Sequence, residues 1–166
     1  KRVLTNDDMR QFVDTSDEWI QTRTGIKTRH VAEVGVETTV TMSLAAARQA
    51  LDASKCSADD IDMIVVATVT PDYRLPSAAC LLQKELGAKK AFAFDVVAAC
   101  AGSIYALSIA DKFIRSGQCR KALVVGVEHL TSITNFTDRN TCVLFGDAAS
   151  AAIVGPSNSE SGFVDI

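Results

Sequence analysis

Three apolar runs, separated by helical patterns, most constrain what this chain can fold into. Ile61–Val69 and Ala122–Val127 are rich in β-branched residues, and Ala91–Val97 forms a third run between them. Strands that are apolar along their whole length are typical of sheets buried on both faces. Because these runs alternate with helical patterns, the sequence predicts an α/β domain with a mainly parallel sheet covered by helices on both faces.

The remaining pattern predicts four helices and further strands near the end of the chain. Helices are expected over 7–24 (with Thr5 or Asn6 as N-cap), 39–54, from Pro76 to near Gly87, and 103–116. A last strand is expected over 149–154, and 163–166 resembles the start of another. No linker or repeat divides the 166 residues, so we expect a single domain, and we interpret it as a piece of a longer protein.

Composition excludes several classes of function. The net charge of −3 gives no reason to expect nucleic-acid binding, and no apolar run approaches the length of a membrane span. Five widely spaced cysteines without a C-x-x-C pair, and only two histidines, argue against a disulfide framework and a metal site. We therefore expect a cytoplasmic protein in a reducing compartment.

One cysteine has the context of a nucleophile. Cys100 stands in Ala98-Ala99-Cys100-Ala101-Gly102, between a predicted strand and a predicted helix. A helix N-terminus offers unpaired N–H groups and a positive dipole end, both of which favour a thiolate. The small neighbours allow a substrate to approach closely. The alternative is a buried structural cysteine, since free cysteines are often buried.

Four motifs in order along the chain resemble those of β-ketoacyl-[acyl-carrier-protein] synthase III, a condensing enzyme of the thiolase fold. They are Thr15-Ser16-Asp17-Glu18-Trp19-Ile20 with Thr22-Arg23-Thr24-Gly25-Ile26, Pro76-Ser77-Ala78-Ala79-Cys80, Phe94-Asp95 with Ala98-Ala99-Cys100-Ala101-Gly102, and Thr137-Asp138-Arg139 with Thr141 and Phe145-Gly146-Asp147. The resemblance covers nearly the whole chain. It implies an N-terminal thiolase-like half-domain over 1–166, without the family's opening strand and C-terminal half.

The resemblance also implies a reaction that begins fatty-acid biosynthesis. Cys100 would take an acetyl (acyl) group from acyl-CoA and condense it with malonyl-[acyl-carrier-protein], with loss of CO2. Trp19 and Arg139 would stack on the adenine of coenzyme A, with Thr15 and Arg23 nearby for polar and phosphate contacts. The family's catalytic histidine and asparagine belong to the other half, so these 166 residues alone should be inactive or impaired. A homodimer without a permanently bound cofactor or metal is expected.

The residues themselves leave the coenzyme roles open. Trp19 and Arg23 are four residues apart, which puts indole and guanidinium on one helix face where they could contact adenine. Core packing is the commoner role of a single tryptophan, and a solvated surface charge is the commoner role of Arg23 and Arg139. Asp95 is expected to satisfy backbone groups rather than to act as a base.

Two other functions remain possible at this stage. One is a related synthase of secondary metabolism with another acyl primer. Leu75, where some relatives carry Phe, could admit longer or branched primers, and Ala148 and Ser150 stand where the family usually has glycines. The other is a non-catalytic chain that scaffolds a dimer, although a scaffold would have no need of a thiol at position 100.

Overall fold

The computed structural model describes residues 2–157 and 162–163. The strands in these ranges are β1 (Arg2–Thr5), β2 (Thr28–Val31), β3 (Met63–Ala67), β4 (Phe92–Val96), β5 (Ala122–His129) and β6 (Asp147–Val154). The α-helices are α1 (Asp17–Thr24), α2 (Thr39–Ser54), α3 (Ala78–Leu86) and α4 (Gly102–Arg115). In these ranges every helix is too short or too polar to span a bilayer.

The main sheet has the predicted architecture. Its strand order is β4-β3-β5-β6, and β3 pairs in parallel with both β4 and β5, with Met63 opposite Phe92 and Ala122. Ile64 and Val66 pack in a cluster with side chains of α2 and α3, whereas the alternate residues of β3 pack in a cluster with α4. Both faces of β3 are therefore buried, which confirms the fold class.

The connections change direction at the carboxyl ends of β3 and β4. From β3 the chain crosses through α3 to β4, then returns through α4 to β5 on the other side of β3. The two helices consequently cover opposite faces, and the chain diverges after β3 and β4. In open α/β sheets ligands bind at such a switch point, outside the carboxyl ends of the strands.

The described residues form two compact units. One consists of residues 1–38 and 128–148 and contains the antiparallel β1-β2 pair, with Arg2 opposite Val31 and Thr5 opposite Thr28. Its core is a cluster of buried side chains (Leu4, Met9, Ile20, Cys142, Val143). The other unit consists of residues 39–127 and 149–166 and contains α2, α3 and α4. The prediction of a single half-domain over 1–166 stays a prediction.

The helix predicted over 7–24 is wrong. The chain forms a short 3-10 turn at Asp8–Gln11 and begins α1 anew at Asp17, because the Ser16 hydroxyl caps the helix by accepting from Trp19 N–H at 3.1 Å. Asn6 is not an N-cap but a buried residue. Pro76 lies before the α3 N-cap, Ser77, rather than inside the helix. The strand suggested at 163–166 falls outside the described residues except for Phe163.

Candidate active site

Cys100 lies at the switch point, four residues after the end of β4, and its side chain is exposed. It occupies the centre of a 3-10 turn, Ala99–Ala101, which runs directly into α4. Ala99 has a φ of 46°, a left-handed conformation that is uncommon for an alanine. Strained residues of this kind persist where the surrounding structure imposes them, often at functional sites. The backbone thus presents the thiol on a fixed, sharp turn.

Close packing holds the start of α4 against the sheet. A Cβ placed on Gly102 would lie 3.1 Å from the Cβ of Ala67, the last residue of β3. A Cβ placed on Gly126 of β5 would collide with the Ser103 side chain. A side chain at either position would therefore require the neighbouring Ala67 or Ser103 side chain to shift. The N–H groups at the beginning of α4 are therefore fixed in position beside Cys100.

Two aspartates secure the segment that connects β3 to α3. The Asp95 carboxylate accepts from the N–H groups of Ala78 (2.9 Å) and Ala79 (2.8 Å) at the start of α3. Asp72 does the same for α2, accepting from Thr39 N–H and Val40 N–H at 2.9 Å each. These charge-assisted contacts satisfy helix N-termini. The expected structural role of Asp95 agrees with this arrangement, and the role of Asp72 was not foreseen.

The other cysteines differ from Cys100 in their surroundings. Cys119 and Cys142 are buried, and burial raises the pKa of both thiols. Cys80 is exposed, and its Sγ lies 3.6 Å from the Ala93 carbonyl oxygen. It sits at the start of α3, where the Asp95 carboxylate already occupies the N–H groups and disfavours a second anion.

We expect these surroundings to produce a strong order of thiol reactivity. With limiting iodoacetamide at neutral pH, the exposed Cys100 and Cys80 should be alkylated before the buried Cys119 and Cys142, because the reagent reaches exposed thiols in the folded protein. Cys119 and Cys142 should stay unmodified until the protein is denatured. A time course of peptide mass spectra measures this order. Equal labelling of Cys142 and Cys100 in the folded protein would contradict it.

A second candidate site surrounds the single tryptophan, in the unit formed by 1–38 and 128–148. Trp19 is half-buried on α1, and the guanidinium carbons of Arg23 and Arg139 lie 4.4 Å and 4.1 Å from the centroid of its ring. Both distances are in the range of cation–π contacts. The structure therefore brings together Trp19, Arg23 and Arg139, and the two arginines are exposed. We call these three residues the indole–arginine cluster.

The loop that carries Arg139 is tightly folded. The Asp138 carboxylate accepts from Asn140 N–H (3.0 Å) and from the Thr141 hydroxyl (2.6 Å), and these hydrogen bonds lower the Asp138 pKa. The Asp138 carbonyl also accepts from Cys142 N–H at 3.0 Å. Since Arg139 lies inside this set of turns, its backbone is fixed by its neighbours.

Thr15 has a hydroxyl without a protein partner. The residue is 9% exposed, and its Oγ1 is buried with no hydrogen-bond partner among the described residues. Buried hydroxyls are nearly always hydrogen-bonded, so an unpaired one is a candidate contact for a ligand. Thr15 belongs to the same unit as the indole–arginine cluster.

No group of three or more potential metal ligands is present among the described residues. His129, one of the two histidines, places its Nε2 3.9 Å from the Asp147 carboxylate.

Comparison with known proteins shows which family this chain resembles. Residues 94–166 match the family model of 3-oxoacyl-[acyl-carrier-protein (ACP)] synthase III. The β-ketoacyl-[acyl-carrier-protein] synthase III of Xanthomonas campestris is 55% identical over 154 residues, which are 93% of this chain and 47% of that protein. The Aquifex aeolicus synthase III is 52% identical over 161 residues, 97% of this chain and 52% of that protein. The chain thus spans about half the length of these relatives.

Solved structures give the same result for the fold. The crystal structure of the Aquifex aeolicus synthase III superimposes with a TM-score of 0.93 at 52% identity, covering 96% of this chain and 51% of that one. The priming β-ketosynthase of the R1128 polyketide pathway has a TM-score of 0.93 at 42% identity, covering 96% of this chain and 47% of that one. The doubly covered sheet with a cysteine at its switch point is that of thiolase-fold condensing enzymes.

Within that class, the chain belongs to the 3-oxoacyl-[acyl-carrier-protein] synthase III family.

Proposed function

We propose that this chain carries the acyl-accepting part of a condensing enzyme that starts fatty-acid synthesis. The observation that carries the proposal is the exposed Cys100 thiol, presented by a strained turn at the start of α4 and at the sheet's switch point. Cys119 and Cys142, by contrast, are buried, as free cysteines often are.

The proposed step is a thioester exchange. The Cys100 Sγ, as thiolate, attacks the carbonyl carbon of acyl-CoA, a new carbon–sulfur bond forms, and the bond to the coenzyme sulfur breaks. The coenzyme leaves as a thiolate that takes up the proton lost by Cys100, so that free coenzyme A is the product. The Cys100 backbone N–H is the proposed donor to the oxyanion, because the next two N–H groups, of Ala101 and Gly102, already donate to the Ala98 and Ala99 carbonyl oxygens.

The proposed coenzyme contacts use the indole–arginine cluster. An adenine ring stacked on Trp19 would meet Arg139 on its other face, and Arg23 is suited to phosphate through its planar fork. The unpaired Thr15 hydroxyl supports a polar contact to the coenzyme. In the structure Arg139 rests directly on the indole, so adenine would have to displace its guanidinium.

The test is covalent labelling with substrate. The protein is incubated with acetyl-CoA, and its intact mass and peptides are measured. We expect a single acetyl group on the peptide that contains Cys100, removed by hydroxylamine. An acetyl group on any other cysteine would contradict the proposed nucleophile.

Replacing Arg139 by alanine should weaken coenzyme binding. Loss of one wall of the proposed adenine site removes a contact worth about 1.4 kcal/mol, or about tenfold in Kd. Quenching of Trp19 fluorescence by coenzyme A measures this constant, because Trp19 is the only tryptophan of the 166 residues. Arg10→Ala, an exposed arginine of the same unit, is the matched control and should bind normally. Equal Kd values for the two variants would argue against the adenine site.

A second candidate is a priming synthase of a secondary pathway, favoured by the similarity to the R1128 polyketide enzyme. Leu75 lies on the segment between β3 and α3 and is 85% exposed. We propose that it reaches across a homodimer interface and there limits the length of the acyl primer. Competition between acetyl-CoA and longer or branched acyl-CoAs distinguishes the two enzymes. Strict acetyl preference would eliminate the second candidate.

The rest of the reaction is likewise proposed from the family. Malonyl-[acyl-carrier-protein] would be the second substrate, and its decarboxylation would use a histidine and an asparagine outside these 166 residues. The enzyme is proposed to be a cytoplasmic homodimer with acyl-CoA as a substrate rather than a permanent cofactor.

A further inference from the structure

A buried polar network joins the two segments that form the indole–arginine cluster. Its centre is Asn6, which is 1% exposed and uses both sides of its amide. The Asn6 Nδ2 donates to the Asp17 carboxylate at 2.8 Å and to the Ile26 carbonyl at 2.7 Å. Asp17 is the first residue of α1, and Ile26 follows its C-cap. Asn6 therefore holds the helix that carries Trp19 at both ends.

Arg29 extends the network to the loop that carries Arg139. This arginine of β2 is 5% exposed, and its Nη2 donates to Asn6 Oδ1 at 2.8 Å and to the Val143 carbonyl at 3.0 Å. Its Nη1 lies 3.4 Å from the Leu4 carbonyl oxygen. The guanidinium thus binds β1, Asn6 and the Arg139 loop at the same time. A planar fork can do this, whereas a lysine ammonium cannot reach the same set of acceptors.

Steric contact adds to these hydrogen bonds at the end of the same loop. A Cβ placed on Gly146 would lie 3.0 Å from the His30 carbonyl oxygen and 3.1 Å from the Arg29 Cβ. The loop from Asp138 to Gly146 is therefore held against β2 at Val143 by hydrogen bonding and at Gly146 by packing.

Burying Arg29 is unfavourable for folding. Desolvation lowers its pKa, and its Nε has no hydrogen-bond partner among the described residues. Apolar side chains of similar volume would often stabilise such a core as well or better. What an apolar side chain could not do is join α1 to the Arg139 loop.

We propose that Asn6 and Arg29 are positioning residues that set the spacing between Trp19 and Arg139 and thereby the affinity for the adenine end of the coenzyme. This inference rests on the proposed coenzyme role of Trp19 and Arg139. It adds that the wall of the site formed by Arg139 is placed from the core, through Asn6, Arg29 and Val143, rather than by the exposed arginine itself.

The test is a double-mutant cycle between Arg29→Lys and Arg139→Ala. The probe is adenosine 3′,5′-bisphosphate, which carries adenine and two phosphates but no thiol, and binding is measured by calorimetry. We expect Arg29→Lys to raise Kd about tenfold when Arg139 is present, and less than about twofold when Arg139 is replaced by alanine. The KM for acyl-CoA in the acetylation of Cys100 should rise in parallel, while the maximal rate of acetylation and the rate of Cys100 alkylation stay within about twofold of the unsubstituted protein.

Controls separate positioning from general destabilisation. Val31→Ala truncates a side chain of the same strand and the same core cluster without touching the network's polar groups, and it should leave Kd unchanged. Gly146→Ala displaces the loop at its other contact with β2 and should raise the KM for acyl-CoA as Arg29→Lys does. This variant tests the inference even if Arg29→Lys fails to fold.

Each other outcome counts against the inference. An unchanged Kd in Arg29→Lys, an equal effect in both arginine backgrounds, or an equal loss in Val31→Ala would overturn it while leaving the coenzyme site intact. If Arg139→Ala and Trp19→Phe bind the bisphosphate as well as the parent protein does, the coenzyme proposal itself fails, and this inference with it.

Discussion

Replacing Cys100 by alanine should reduce acyl transfer by at least about a thousandfold, because the variant lacks the thiol on which we propose the thioester forms. The folded state should hardly change, since an exposed side chain contributes little and Ala99 would keep the strained turn in place. The measurement is the rate at which acetyl-CoA acetylates the protein, followed by intact mass, together with the midpoint of thermal unfolding.

Cys80→Ala is the matched control for this experiment. Cys80 is also an exposed cysteine near the start of a helix, yet its helix N-terminus is neutralised by Asp95. The variant should keep its rate within about twofold of the parent protein. Equal losses in the two variants would show that neither thiol is specifically the nucleophile.

The second large effect concerns stability. The Asp147 carboxylate is buried and accepts from Ala32 N–H (2.7 Å), Thr131 N–H (2.8 Å) and the Thr131 hydroxyl (2.5 Å). Replacing Asp147 by alanine leaves these donors without their acceptor, which should lower the free energy of unfolding by about 3–5 kcal/mol. Denaturant titration followed by Trp19 fluorescence measures this loss in the unit that contains both residues.

Asp14→Ala is the control for Asp147. Asp14 is an exposed aspartate of the same unit, so its removal should change stability by less than about 0.5 kcal/mol. If Asp147→Ala lowers the free energy of unfolding by less than about 1 kcal/mol, water replaces the carboxylate as acceptor at little cost. That result would contradict the effect that we expect from the burial of Asp147.

The main sheet was predictable because its strands are apolar on both faces. The runs around Val65 and Val124 have no polar face to present to solvent, so the helices on either side follow from burial alone. Helix α2 was also predicted with its observed bounds, 39–54. Its buried stripe nevertheless includes Thr39 and Ser43, because their hydroxyls find backbone acceptors in Thr70 and Thr39.

The first unit was less predictable because polar side chains organise it. The segment around Arg29 has no apolar run, and nothing in its local pattern distinguishes a buried arginine from a solvated one. Asn6 fitted a helix cap as well as a core position. Its true role depends on Asp17, Ile26 and Arg29, which are 11 to 23 positions away along the chain. Sequence patterns of a few residues cannot contain such contacts.

In the proposed sites, too, only the contacts between residues close in sequence could be predicted from local patterns. The strand-to-helix position of Cys100 is local in sequence and was foreseen. The pairing of Trp19 with Arg23 follows from helical spacing, and the structure confirms that the two groups meet. Arg139, by contrast, is 120 positions from Trp19, and its place beside the indole was expected only from the family resemblance.

The contact of Arg139 with Trp19 gives the proposed coenzyme site a means of discrimination. A flat ring that displaces the guanidinium gains a stacking contact but forfeits the cation–π contact already present, so the ring alone achieves little net affinity. A ligand that also carries an anion offers the displaced arginine a new partner. Adenosine without phosphate should therefore bind weakly, and so should other planar aromatic metabolites that bear no negative charge.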